Sequence, residues 1–226
     1  MSTLELLDPL RHARLRLRAN AGNAPHFVQV LASEFAAAAA CCPVLLTKEP
    51  DTGGFFAGAV FGFKPGENLL GSIDERGGFE PLMLKREGFF ISGESIAIDR
   101  AHARFSESDG EPLFDGAQQP AEPLRQVQKL LGEIHGGLEQ TKAFIAALAE
   151  LKLIEAIDVS LTFDDGERVM LQGLYTVSLD RLREVDDAAA LRLFRAGHLQ
   201  LAYTMAASLK QFSRLARLRN RRGRQS

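Results

Sequence analysis

In the stretch HARLRLR, Leu15 and Leu17 alternate with Arg14, Arg16 and Arg18. This is the period-two pattern of a strand with one buried face. The turn-rich ANAGNAP then interrupts the chain. From Phe27 to Asp115, short apolar runs (PVLLT, GFFAGAVFGF, NLLGSI, EGFFISGESIAI) are divided by the clusters EPDTGG, KPGEN, DERGG and SDGEP. Runs of that length between Gly, Pro and Asp predict antiparallel sheet joined by hairpins.

Beyond GAQQPAEP, residues 116–123, the period changes. That segment reads as a linker, and Pro123 suits the first turn of a following helix. Leu131, Ile134, Leu138, Thr141, Ile145 and Leu148 recur at three-four spacing and predict a helix from about Leu124 to Lys152. Gly136 and Gly137 lie inside it, each costing about 1 kcal/mol relative to alanine. They predict either a break or a close helix contact. AIDVSLTFDDGERVMLQGLYTVS then reads as two alternating strands around Asp165-Gly166, a pair suited to a tight turn with positive φ.

A last helix is predicted from Asp186 or Asp187, whose carboxylates suit an N-cap. It carries Leu191, Phe194, His198, Leu201, Met205, Leu209 and Phe212 at helical spacing, and runs into a basic tail. No repeat of 20 to 50 residues is visible. The order of elements predicts an α+β fold: a β-rich antiparallel N-terminal half, a helix, a β-hairpin and a long C-terminal helix. We read residues 1–226 as one domain, with sub-regions 1–115 (β-rich), 116–123 (linker), 124–209 (α+β) and 210–226 (basic tail).

Composition narrows the setting. The chain has 226 residues, 46% hydrophobic and 25% charged, which is the makeup of a globular protein rather than a disordered one. Two adjacent cysteines cannot build a disulfide framework and are poorly placed to bridge each other. With no signal peptide visible in MSTLELLDPLRHARLRLR, a reducing, cytoplasmic setting is expected. Phe27 to Leu46 comes nearest to a membrane span, but it holds Gln29, Ser33, Glu34 and Pro43, so no transmembrane segment is expected.

The net charge of −2 is unevenly spread. Lys210, Arg214, Arg217, Arg219, Arg221, Arg222 and Arg224 make the tail basic, with no acidic residue among them. An acidic body with a basic tail suits nucleic acid, an anionic membrane or an acidic protein. The plainer reading is a helix end whose cations complement the helix dipole.

Candidate chemistry is sparse. Cys41 and Cys42 lack C-x-x-C spacing and a second ligand pair, so zinc is not expected. Packing is the expected role for them, and the alternative is a redox or nucleophilic thiol partnered by one of His12, His26, His102, His135 or His198. Asp164, Asp165 and Glu167 read as a turn, because a calcium loop spaces its ligands over a longer segment. His198 falls on an apolar helix stripe and reads as a core histidine, while Asp99 and His102 are placed to share a hydrogen bond. Phosphate-loop, dinucleotide, α/β-hydrolase and zincin motifs are all absent from the sequence, so neither metal nor cofactor is expected. Among fifteen phenylalanines, Phe55-Phe56 and Phe89-Phe90 are paired. On a strand one of each pair points inward and its neighbour outward, offering an aromatic surface to a partner unless a second layer covers it.

Several segments together resemble the SapC family of bacterial proteins: EFAAAAACCPVLLT, KPGENLLGSIDERGGFEPLMLKREGFF, GEPLFD, LEQTKAFIAALAELKLIEAIDVSLTFDDGERVMLQGLYTVS and LRLFRAGHLQLAYTMAASLKQFSRLA. The matching landmarks include Glu34, Phe35, Pro43, Gly66, Glu67, Asn68, Lys85, Arg86, Phe89, Gly110, Asp115, Thr141, Phe144, Gly173, Gly197 and Ser208. Cys41 and Cys42 stand where the family more usually has a polar and an aromatic residue, and His198 stands near a usual tyrosine. The resemblance implies a link to surface-layer proteins and brings no established catalytic mechanism. A peptide-import permease shares the family's name, but this chain lacks the long apolar spans a permease needs.

Three functions follow as expectations. The first is a non-catalytic accessory protein that binds a protein partner, with homo-oligomerisation open. The second is an enzyme or small-molecule binder using scattered polar residues. Glu67, Asn68, Lys85, Arg86, Phe89, Asp99 and His102 are the candidate binding residues. The third is attachment to anionic membrane or nucleic acid through the basic tail.

Overall fold

The computed structural model describes residues 4–19, 25–71 and 76–224, so the predicted break at ANAGNAP falls largely outside the described residues. Along the chain run β1 (Leu4–Leu6), β2 (Arg16–Leu17), β3 (Phe27–Gln29), α1 (Phe35–Ala39), β4 (Val44–Lys48), β5 (Phe55–Val60), α2 (Leu82–Lys85), β6 (Phe89–Ser92) and β7 (Ser95–Asp99). They are followed by β8 (Phe105–Ser106), β9 (Glu111–Pro112), α3 (Glu122–Glu150), β10 (Ile154–Thr162), β11 (Arg168–Val177), α4 (Leu179–Arg183), α5 (Asp187–Arg195), α6 (His198–Ser208) and α7 (Gln211–Gly223). The fold is α+β, with antiparallel strand pairing. Two compact units divide it, Met1–Gly22 with Leu82–Gly136 and Asn23–Pro81 with Gly137–Ser226.

In the first unit, β1, β7 and β6 form one three-stranded sheet, and β8, β2 and β9 form another. Leu15, Phe89, Ile98, Phe105 and Leu113 share a core with Leu124, Val127 and Leu131 from the start of α3. The strand predicted at HARLRLR shrinks to two residues. Local bonding explains this correction. The Asp8 carboxylate accepts the N–H groups of Leu10 and Arg11 (2.9 and 2.8 Å), and Asp8 N–H donates to His12 Nδ1 (2.9 Å). Side-chain capping of this kind offers the backbone a turn in place of a ladder. Leu15 still points into the core, as the alternation requires.

The second unit is built on a five-stranded sheet in the order β10-β11-β4-β5-β3. Val44, Leu45 and Leu46 of β4 and Ala57 to Val60 of β5 are consecutively buried, the signature of central strands covered on both faces. The predicted late hairpin forms, with Thr162 opposite Arg168 and a connection from Phe163 to Glu167. Gly166 alone in that connection has positive φ, +84°, so the turn is wider than a two-residue one. Its return strand pairs with β4 at Tyr175 and Leu46. α6 packs on β4 and β11, where the Ser208 hydroxyl accepts Val44 N–H at 2.8 Å.

The single terminal helix of the sequence reading is three helices. Asp186 caps α5 as expected, its carboxylate accepting Ala189 N–H at 2.8 Å. Gly197 at φ +73° then turns the chain between α5 and α6, and a second break falls at Leu209 and Lys210. The apolar stripe is split accordingly. Met205, Phe212 and Leu215 are buried, whereas Leu191 and Phe194 are 46% and 68% exposed.

α3 runs through Gly136 and Gly137 without a break, and the boundary between units falls after Gly136. A Cβ on Gly137 would lie 2.6 Å from Cδ1 of Leu31, so a close contact is what this glycine permits, while Gly136 faces open space. Thr141 locks the same contact. Its hydroxyl donates to the Gly137 carbonyl (2.6 Å) and accepts Ala32 N–H (2.8 Å). Gly136→Ala is expected to stabilise the protein by about 1 kcal/mol through helix propensity. Gly137→Ala is expected to destabilise it despite the same propensity gain, because Leu31 is fully buried and has little room to move. Opposite shifts of the thermal midpoint would be the observed result.

Candidate functional site

Of the predicted site residues, Lys85, Arg86, Phe89, Asp99 and His102 lie in the first unit, and Glu67 and Asn68 in the second. The first group gathers around the turn between α2 and β6. Asp99 N–H donates to the Gly88 carbonyl (2.9 Å), and His102 N–H donates to the Asp99 carbonyl (2.9 Å). The Asp99 carboxylate caps Ala101 N–H (3.2 Å), and His102 Nδ1 accepts Arg104 N–H (3.3 Å). Arg104 reaches the carbonyls of Lys85 (2.7 Å) and Glu87 (3.0 Å). Arg86 donates to the Phe89 carbonyl (3.2 Å) and stacks over Phe90, and burial lowers its affinity for the proton. These groups hold a loop. A catalytic arrangement would aim them at a common external atom.

The phenylalanine pairs divide. Phe89 is buried edge-on to Phe105 (5.0 Å) and Phe90 is half-buried, as alternation predicts. Phe55 and Phe56 are both half-buried, because each is met by another ring, Tyr175 and Phe27 respectively.

In the second unit Glu67 and Asn68 meet the basic tail. Glu67 accepts Phe63 N–H (2.6 Å) and lies 3.9 Å from Arg219, and the carbonyls of Asn68 and Leu69 accept hydrogen bonds from Arg222. Arg219, only 12% exposed, also pairs with Asp165 (2.9 Å) and with Glu167, and stacks 4.0 Å over the ring of Phe163. Arg224 and Asn220 bind Asp164 (2.6 and 2.8 Å), while Lys64 pairs with Glu167. At the other end of α7, Arg214 donates to the Cys41 carbonyl (2.6 Å) and Gln211 to those of Ala39 and Ala40 (3.1 and 3.2 Å). The acidic hairpin turn, read from sequence only as a turn, is therefore the docking partner of the C-terminal helix. Lys210, Arg217 and Arg221 remain exposed.

Sequence reasoning missed a third feature. Two adjoining hollows of about 200 and 330 Å³ meet at Ala196 and His198. Ala143 and Ala147 of α3, with Ala196 and Gly197, line them with small residues beside Leu193 and Leu201. Glu150 and Arg192 stand at the rim, 4.0 Å apart. His198 packs edge-on to Phe144 (5.6 Å), and burial lowers its proton affinity, so a neutral ring walls the groove. The available signal was the i, i+4 spacing of Ala143 and Ala147, which reads equally well as helix propensity.

An α+β protein of two units, with polar residues turned largely to caps and ion pairs, is the class these features define. The chain belongs to the SapC family, whose model matches residues 7–215. No curated protein and no solved structure matches it. Among the described residues, no helix is long and apolar enough to cross a membrane, and no group of three or more His, Cys, Asp or Glu is placed to hold a metal ion.

Proposed function

We propose that this SapC-family chain is an accessory protein that acts by binding another protein, of the surface-layer or exported class that the family resemblance implies. The carrying observation is the groove between α3, α5 and α6. Its lining of small residues lets a partner backbone approach closely, and hollows of about 200 and 330 Å³ suit one or two large apolar side chains each. A partner helix presenting such side chains on one face is the occupant this shape fits. The mixed charges of Glu150 and Arg192 at the rim suit the polar border of such a contact.

The test is a photo-cross-linker placed at Ser33, beside the groove, followed by identification and purification of the captured protein. That protein is expected to bind the wild-type chain and to lose at least about tenfold in affinity when Ala143→Trp fills the groove, with the thermal midpoint unchanged. Unaltered binding by Ala143→Trp would sink the proposal.

A further inference from the structure

β10 lies at one edge of the five-stranded sheet, where β11 is its one strand neighbour among the described residues. It is nine residues long, against three for β3 at the opposite edge. None of the nine is buried, and Ala156, Asp158, Ser160 and Thr162 are exposed. The phase of the ladder fixes which main-chain groups face outward. Ser178 N–H donates to the Leu153 carbonyl (2.7 Å) at one end of the hairpin, and Phe163 N–H donates to the Glu167 carbonyl (2.9 Å) at the other. In an antiparallel pair such bonded residues alternate with unbonded ones. The odd-numbered residues of β10 therefore bond to β11, while Ile154, Ala156, Asp158, Ser160 and Thr162 direct N–H and C=O away from it. Among the described residues, no hydrogen bond reaches those outward groups.

Sheet edges are ordinarily blunted by shortness, lysine, proline, a bulge or a covering element. β10 carries neither lysine nor proline. The pairing passes from Ile157–Leu174 to Val159–Leu171, so the extra residue of that bulge lies on β11, where Gly173 has φ +71°, and the outer edge stays regular. Side chains then restrict what can join it. Ile157, Val159 and Leu161 form a half-buried apolar row on one face, and Ala156, Asp158, Ser160 and Thr162 an exposed, mostly polar row on the other. Glu155 and Asp158 are the strand's charged residues, and neither makes an ion pair among the described residues. A second copy paired antiparallel along the whole strand would set Asp158 against Asp158, and like charges directly opposite are destabilising. A cation in that place is favoured instead.

We propose that the outer edge of β10 binds an extended segment of another protein, added antiparallel as a further strand, in which apolar residues alternate with polar ones that include Lys or Arg. Antiparallel addition continues the pairing found throughout this sheet. The segment's apolar side chains extend the row of Ile157, Val159 and Leu161, and its cation lies opposite Asp158. Main-chain hydrogen bonds supply the affinity, and the alternation fixes the register, because a slip of one residue would turn every apolar side chain to the polar face. The edge shares no residue with the lining of the groove between α3, α5 and α6. The two sites are therefore independent claims.

The probe is a fluorescent peptide of alternating lysine and valine, matched to β10 in length and titrated with the purified chain at physiological salt. Saturable binding is expected, with slowed hydrogen exchange at the outward amides of Ala156, Asp158 and Ser160. Ser160→Pro removes an outward donor and keeps the bonds to β11, a substitution that edge strands tolerate. It should weaken binding at least about tenfold with the thermal midpoint unchanged. Asp158→Lys should weaken it by about fivefold. The same peptide methylated on the main-chain nitrogens of its lysines keeps its charge and should not bind, whereas Ala143→Trp, which fills the groove, should bind the unmodified peptide as the wild type does. No saturation by about 1 mM, equal binding of the methylated peptide, or undiminished binding by Ser160→Pro would overturn the proposal. Self-association of the wild type that Ser160→Pro abolishes would overturn it too, by giving the edge to a second copy.

Discussion

Phe144→Ala is expected to cost about 4 kcal/mol, the middle of the range for deleting a fully buried ring. Phe144 has no exposed surface and meets Phe35 of α1 edge-on at 5.7 Å and His198 of α6 at 5.6 Å. Three helices thus lose a common contact. Each edge-to-face pair is worth about 0.5–1.5 kcal/mol beyond its area, and the cavity adds to that loss because α1 and α6 are also held by other bonds and cannot collapse fully. Urea titration should show a lower midpoint with an unchanged slope. A loss below about 1.5 kcal/mol would mean that the site closes around the missing ring.

Arg219→Ala is expected to cost about 3 kcal/mol, the scale for removing one partner from a largely buried ion pair. Exposure decides which member matters. Arg219 is 12% exposed while Glu67, Glu167 and Asp165 are 21%, 34% and 50% exposed, so removing the arginine takes the shared cation from three carboxylates at once, of which Glu167 keeps Lys64. Phe212 and Leu215 still bury their side chains, and the damage should therefore concentrate toward the C-terminal end of α7. Hydrogen exchange is expected to quicken over residues 216–223 and little over β4 and β5. Uniform loss of protection across the unit would contradict a local latch.

Acid should mimic the substitution. The Glu167 N–H, and after it Arg219, holds the Asp165 carboxyl below its ordinary range. A folded-state pKa below the unfolded one contributes stability that is present above about pH 4 and is lost as pH falls through the folded value. Protection of α7 in the wild type is expected to be flat near neutrality and to drop in that acidic window. Arg219→Ala should show a smaller drop, having already lost the contact.

The family landmarks explain how much of the site was legible. Glu34 accepts Leu31 N–H (2.8 Å), Asp115 accepts those of Ala117 and Gln119 (both 2.9 Å), and Asn68 accepts that of Leu70 (3.0 Å). Gly110 lies where a Cβ would come within 2.4 Å of the Leu17 carbonyl. These positions specify how the backbone turns. That is why a resemblance built on them names a family and supplies no chemistry. Glu67 and Arg219 were each visible as charged residues, yet their pairing spans the chain and has no local signature.

The sequence by itself determined what depends on near neighbours: the apolar helix face of α3, the hairpin around Gly166, the cap at Asp186 and the α+β class. Period, turn chemistry and capping act over a few residues, so they can be read in order along the chain. Tertiary structure alone decided that β11 joins β4, that the basic tail docks on the acidic turn, that Gly137 is a contact and Gly136 is not, and that α5 turns Phe194 outward. Each of those outcomes depends on which distant surface excludes water from a given side chain, and many distant pairings are compatible with the same local pattern.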